Sequence, residues 1–111
     1  MKAYLLTAVA SFTISLNAGI ASWYGEEHRG KRTANGERFD PDKLTAASWH
    51  YPFNTKLKVT NTRTRKSVYV RVNDRGPNKR LKREIDLSHS AFKQIANPNV
   101  GLIQVKVEVI K

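Results

Sequence analysis

Cysteine is absent from this sequence and acidic residues are scarce, with 9 Asp+Glu against 20 Lys+Arg and a net charge of +11. Without cysteine there is neither a disulfide nor a thiol nucleophile, so the fold rests on its core and catalysis falls to other side chains. His28, His50 and His89 lie far apart, and no H-x-x-x-H pair or Asp-rich calcium loop occurs, which argues against a metal centre. A GxSxG elbow, a P-loop and a GxGxxG turn are also missing, and nothing calls for a cofactor. No internal repeat, heptad or low-complexity tract is present, and 111 residues leave room for one domain. The basic balance predicts an anionic partner without choosing among nucleic acid, acidic lipid and acidic glycan.

What is present begins with a leader-like segment. Residues 1–18 read as a signal peptide: Lys2 gives a positive start, an apolar stretch from Tyr4 runs to Leu16, and Ala18 is a small residue for cleavage. The other reading of this run is a buried N-terminal helix or strand. The stretch is short for a membrane span, and with no cysteine behind it a lipid anchor has no point of attachment. The expectation is export to the cell envelope, secreted or periplasmic, of a monomeric domain spanning 19–111, without a stable membrane anchor. Losing Lys2 with the leader leaves a charge of +10. Export also argues against nucleic acid as the partner.

Three segments alternate apolar and polar residues with the period of half-buried strands: 56–60, 67–73 and 102–110. In the second, Val68, Val70 and Val72 share one face. Residues 19–25 suggest a fourth strand. One short helix is expected after Ser88, which can cap it, with Ala91, Phe92 and Ile95 on one face and Asn97-Pro98 ending it. Residues 25–55 and 74–84 are rich in Gly, Asn, Asp, Pro and basic residues and read as loops. Short strands, long loops and one small helix point to a small β-barrel whose loops carry function.

With thiols and metals set aside, carboxylates are the remaining catalysts. Asp74 closes the valine strand in Val72-Asn73-Asp74-Arg75-Gly76-Pro77, where an aspartate also serves simply as a turn residue. Asp86, in Ile85-Asp86-Leu87-Ser88, stands before the helix, whose N-terminus favours the ionised form; it is therefore expected to act as an ionised partner or structural residue. Glu37 follows an Asn35-Gly36 turn signal. Trp23 and Tyr24 are adjacent on a strand and face opposite sides, so at most one fills the interior and the other is free to stack on a sugar. Lys79-Arg80-Leu81-Lys82-Arg83 concentrates four positive charges.

These pieces occur in an order that resembles a family. Ala21-Ser22-Trp23-Tyr24-Gly25, Thr33 to Asp40, Leu44-Thr45-Ala46-Ala47, Pro52-Phe53, Val59-Thr60-Asn61, Val72 to Pro77 and Ile85 to Ser88 follow one another as in the rare lipoprotein A group of septal-ring lytic transglycosylases. The resemblance covers residues 19–110. It implies a mainly β fold, a six-stranded double-psi β-barrel with one or two short helices, akin to expansin and family-45 endoglucanase domains. By the same resemblance Asp74 matches the aspartate thought to be catalytic, Glu37 an acid important for activity, and Asp86 the aspartate of the D-L-S motif. Trp23, Tyr24, Asn35, Ser48, His50 and Arg75 are the implied substrate-binding residues. One position departs: the family usually has histidine directly after Thr-Ala-Ala, where this chain has Ser48, with His50 two places on.

The implied activity is cleavage of peptidoglycan glycan strands between N-acetylmuramic acid and N-acetylglucosamine without water. One acid suffices if it first protonates the glycosidic oxygen and then receives the proton of the C6 hydroxyl as a 1,6-anhydro ring closes. That acid must hold its proton near neutral pH, which burial or a neighbouring like charge can arrange. Asp74 is the expected acid. A non-catalytic, expansin-like wall-binding module and a water-using hydrolase remain open as alternatives.

Overall fold

The computed structural model describes residues 16–111, with side chains from Ala18 onward. Most of the expected leader therefore lies outside the described residues. Its last three residues open the first strand, β1 (Leu16–Tyr24), and pair with Lys106 to Glu108 of the last. The remaining strands are β2 (Thr45–Ala47), β3 (Lys56–Asn61), β4 (Ser67–Asp74), β5 (Ile85–Ser88) and β6 (Ile103–Val109), with one helix, α1 (His89–Ile95). Short 3₁₀ turns lie at Glu26–His28, Lys79–Leu81 and Pro98–Val100.

The alternating segments become β3, β4 and β6, with the valines inward as expected. Leu57, Val59, Val68, Val70, Val72, Val105 and Val107 are all buried. Two strands escaped the period-two signal. At three and four residues, β2 and β5 are too short to display a period. Each is instead held by neighbours on both sides.

The strands close into a ring in the order β1-β5-β2-β4-β3-β6. The pairs β1/β5 and β2/β4 are parallel and the others antiparallel. Closure leaves no free sheet edge, which suits a chain without disulfides. This is the mainly β, six-stranded barrel that the resemblance implies. Helix α1 packs against β1, β4 and β5, burying Ala91, Phe92 and Ile95. Ser88 caps it as expected: its hydroxyl accepts from the Ala91 N–H at 3.3 Å and donates to the Lys43 carbonyl at 2.6 Å.

One irregularity places the site. Thr45 pairs with Arg71 and Ala46 with Val72, but Ala47 pairs with Asp74, so Asn73 is the extra residue of a β-bulge. Strict alternation after Val72 would point Asp74 into the barrel. The bulge returns Asp74 to the outer face, beside Ala47. Ala47 also pairs with Asp86 on its other side, which puts Asp74 and Asp86 on one face of the β4-β2-β5 wall. Two strand spacings separate their Cα atoms by about 10 Å.

Candidate functional site

Asp74 is fixed from three directions. Oδ1 accepts from the backbone N–H of Ala34 at 2.8 Å and of Arg75 at 2.9 Å, while Oδ2 accepts from the Tyr24 hydroxyl at 3.3 Å. The Ala34 contact ties the 33–40 loop to the end of β4. Tyr24 reaches this point because it shares an outward face of β1 with Ser22. Burial, reinforced by Asp74 and Asp86, raises the Tyr24 pKa, so its hydroxyl remains a proton-bearing donor.

Asp86 has much less support. Its one hydrogen bond comes from Ser22 Oγ at 3.1 Å, across the β1/β5 pair. Burial raises its pKa from 3.8 to about 6; Asp74 and Glu27 push the same way, while Ser22 and Arg83 oppose. Ser88 is the cap of α1 and Asp86 bonds to β1, and burial moves Asp86 towards its protonated form, the direction opposite to that expected from a helix N-terminus, while leaving it mostly ionised at pH 7.

Glu37 has the opposite surroundings. Its carboxylate accepts two hydrogen bonds from the Arg71 guanidinium at 2.8 and 2.9 Å, one from Asn73 Nδ2 at 3.1 Å and one from Asn35 Nδ2 at 2.9 Å. Those donors, Arg71 foremost, hold its pKa down to about 2. Glu37 is thus an ionised strut and cannot donate a proton at neutral pH. The bond between Asn35 and Glu37 is local: Gly36 turns the chain at φ +94°, and Asn35 Oδ1 also accepts from the Glu37 N–H. Asn35 is therefore committed to the loop.

The other expected binding residues divide. Tyr24 lies between the two aspartates and stacks on Phe39, with ring centroids 4.4 Å apart. Trp23 turns the other way, packs on His89 and Phe92, and donates its indole N–H to the Pro98 carbonyl. It helps cover the core and is half-buried there. Ser48 is fully buried, its hydroxyl accepting from the His50 N–H. His50 faces Glu84, with Nε2 3.8 Å from Oε1. Arg75 is engaged internally: Nη1 donates to the carbonyls of Ser48, Tyr51 and Asp74, and the guanidinium lies over Phe53. The geometry therefore leaves the Tyr24 side chain beside the acids, brings the backbone N–H groups of Ser48 and Arg75 onto Asp74, and engages the side chains of Trp23, Ser48, His50 and Arg75 with other partners. Among the described residues, no three His, Asp or Glu side chains cluster as metal ligands would.

A family model described as lytic transglycolase matches residues 16–107. The chain belongs to the lytic transglycolase family. It is 51% identical over 94 residues to the endolytic peptidoglycan transglycosylase RlpA of Campylobacter jejuni, an alignment covering 83% of this chain and 33% of that protein. It is 48% identical over 96 residues to the probable endolytic peptidoglycan transglycosylase RlpA of a Synechocystis strain, covering 86% and 30%. The chain thus spans about a third of the length of these relatives. Two solved structures share its fold. Streptomyces papain inhibitor superposes with a TM-score of 0.70 at 19% identity, covering 87% of this chain and 96% of its own. The D78N mutant of Clavibacter michiganensis expansin, in complex with cellohexaose, superposes at 0.68 and 19%, covering 87% and 51%. The rare lipoprotein A resemblance read from the motifs is borne out by these lytic transglycolase relatives.

Within this lytic transglycolase domain, sequence reasoning passed over Ser22, Arg71 and Asn73. A signal existed for each. Ser22 stands two residues before Tyr24 and so shares its face. Arg71 and Asn73 occupy the outward positions of the strand whose inward valines were recognised.

Proposed function

We propose that the chain is an endolytic lytic transglycosylase that cleaves peptidoglycan between N-acetylmuramic acid and N-acetylglucosamine, with Asp86 as the proton-transfer group. The observation that carries this reading is the Asp86 carboxyl, raised to about 6 on the same face as Asp74 and Tyr24. At pH 7 roughly a tenth of molecules hold that proton, enough for a working acid.

Asp86 protonates the glycosidic oxygen as the bond to the muramic anomeric carbon breaks. The muramic C6 hydroxyl then attacks that carbon, and its proton returns to the Asp86 carboxylate. The products are a 1,6-anhydro end and a free sugar hydroxyl. Protons balance, and no water-activating base is required, unlike hydrolytic glycosidases. Asp74, held by two N–H groups and Tyr24, supports the positive charge that develops at the anomeric carbon. This assignment exchanges the roles that sequence alone suggests for the two aspartates. Export, cleavage of 1–18 and action as a monomer belong to the same proposal. The apolar run and positive start of 1–18 support the first two.

Digestion of purified glycan strands tests the reading through its products. Anhydromuramic ends support it, reducing ends indicate a water-using hydrolase, and binding without products indicates an expansin-like module. Asp74→Asn and Asp86→Asn, assayed together with circular dichroism as a folding control, decide between the acids. Retained activity in Asp86→Asn with loss in Asp74→Asn would reverse the assignment.

A further inference from the structure

A concave surface lies beside the segment that leads into β5. Its volume is about 400 Å³, and its walls include Trp49, His50, Lys79, Lys82, Arg83 and Glu84. Glu84 immediately precedes β5 and shares the outward face of Asp86, two residues along the chain. That separation is about 7 Å, on the scale of one sugar ring. Arg83, on its wall, is near enough to Asp86 for its charge to favour the ionised carboxylate.

Two features make it a binding surface rather than solvated charge. Trp49 is 44% exposed, the largest side chain among the exposed hydrophobic residues, yet its indole N–H is bonded to the Pro77 carbonyl. An aromatic ring that is both exposed and oriented is suited to stacking on a sugar. Second, three cations, Lys79, Lys82 and Arg83, are gathered on one concave wall beside Trp49. Like most Lys and Arg among the described residues, where Arg29 and Arg71 alone form ion pairs, they have no carboxylate within ion-pair distance and are open to an anionic ligand. Lys79 Nζ lies 4.7 Å from the Trp49 ring centroid, so a ligand touching the ring is within reach of its charge. Glu84, the one acid on the wall, is mostly buried and paired with His50.

We propose that this pocket is an acidic-sugar subsite, in which Trp49 stacks on a glycan ring while Lys79, Lys82 and Arg83 bind a carboxylate carried by that ring. The inference rests on the reading of the substrate as wall glycan and names the part of the protein that selects for charge. On muramic acid the carboxylate is supplied either by the free lactyl group or by a peptide attached to it. Both present the same chemistry to the pocket.

The test uses the full chain bearing Asp86→Asn, so that ligand is not consumed, and isothermal titration with four soluble probes. These are peptide-free glycan fragments, the same fragments with the lactyl carboxylates amidated, peptide-bearing fragments, and chitooligosaccharide of equal length. Acidic fragments should bind about tenfold more tightly than amidated ones, equivalent to about 1.4 kcal/mol. Lys79→Ala/Lys82→Ala/Arg83→Ala should abolish the difference while leaving the neutral ligands unchanged. Trp49→Ala should weaken all four, with Trp49→Phe restoring most binding and controlling for folding. Tight binding of the peptide-bearing probe alone assigns the carboxylate to peptide, and of the peptide-free probe alone to the lactyl group. Equal affinity for acidic and amidated fragments, or a preference that survives the triple substitution, overturns the proposal. If the parent chain makes no anhydro ends while the charge preference still follows the three cations, the transglycosylase reading fails and the subsite stands. If it cleaves and shows no such preference, the subsite alone fails.

Discussion

Two carboxylates of this domain stand in opposite surroundings. Glu37, on the 33–40 loop, accepts four hydrogen bonds from Arg71, Asn73 and Asn35, two of them from a single guanidinium. Asp86, on the barrel wall, accepts one from a serine hydroxyl. Glu37 is the more exposed and loses its proton more readily. Burial holds Asp86 up while the Arg71, Asn73 and Asn35 donors hold Glu37 down, so solvent access and donor supply together separate them. A loop needs a permanently charged strut to keep its shape, whereas proton transfer needs a group poised near neutral pH. The same side-chain chemistry serves both through its neighbours.

The comparison is broken most directly by making both groups amides. Asp86→Asn is expected to lower the rate of anhydro-end formation by about 10²–10⁴-fold, the usual cost of losing a general acid. Glu37→Gln acts through the loop: whatever its effect on rate, the pH profile of the remaining activity should keep its position. A Glu37→Gln profile shifted along the pH axis would mean that Glu37 itself titrates in the mechanism.

The second expectation sets the alkaline side of that profile. Because Asp86 must be protonated to act, kcat/KM should fall as pH rises through about 6, approaching tenfold per pH unit above it. Flat activity from pH 6 to 8 would remove Asp86 from the acid role.

Stability offers a third, independent measure. The Asp86 carboxyl binds its proton more tightly folded, at about 6, than unfolded, near 3.8, so its contribution to stability is fully present below about 4 and declines up to 6. Asp86→Asn should therefore stabilise the fold by about 1–3 kcal/mol at pH 8, with the gain vanishing below pH 4. Urea titrations at the two pH values would show it, and a gain independent of pH would contradict it. Glu37 has the opposite sign, stabilising above its ordinary value of 4.5 and losing that effect towards about 2. Its exposure keeps the contribution small.

The smallest effect sharpens the comparison. Arg83 favours the ionised form of Asp86, so Arg83→Ala should move the alkaline limb upward by a fraction of a pH unit. Added salt should produce a similar displacement in the parent chain and little further change in the variant. A downward displacement would show that another charge controls Asp86.

How far these features were legible depends on the scale of the signal. The valines of β4 and the alternation of β6 declare strands because several residues repeat one period. Thr45-Ala46-Ala47 carries no such repeat, and its strand character comes from β4 and β5 on either side. The motifs nominated Asp74, Asp86 and Glu37, and the structure gathers them around one end of the barrel. Their surroundings were not legible. A helix following Asp86 is visible in sequence, whereas its desolvation between neighbouring strands and its single serine partner are not. Arg75 looked available to substrate because three backbone carbonyls that converge on it come from Ser48, Tyr51 and Asp74. Backbone acceptors leave no trace in residue type.

The bulge at Asn73 carries a consequence for anyone redesigning this barrel. Deleting that residue would restore unbroken register between β2 and β4, the change that a search for ideal strand geometry favours. Asp74, then next to inward-facing Val72, would still point outward opposite Ala47, but the Asn73 amide that donates to Glu37 and the Asn73 carbonyl that accepts from the Asn35 N–H would be lost. Regular strand geometry and the anchoring of the 33–40 loop therefore pull in opposite directions at this one position. A library of single-residue deletions along β4 should show the fold tolerating loss of Asn73 better than loss of a residue between Ser67 and Val72, which would turn valines out of the core.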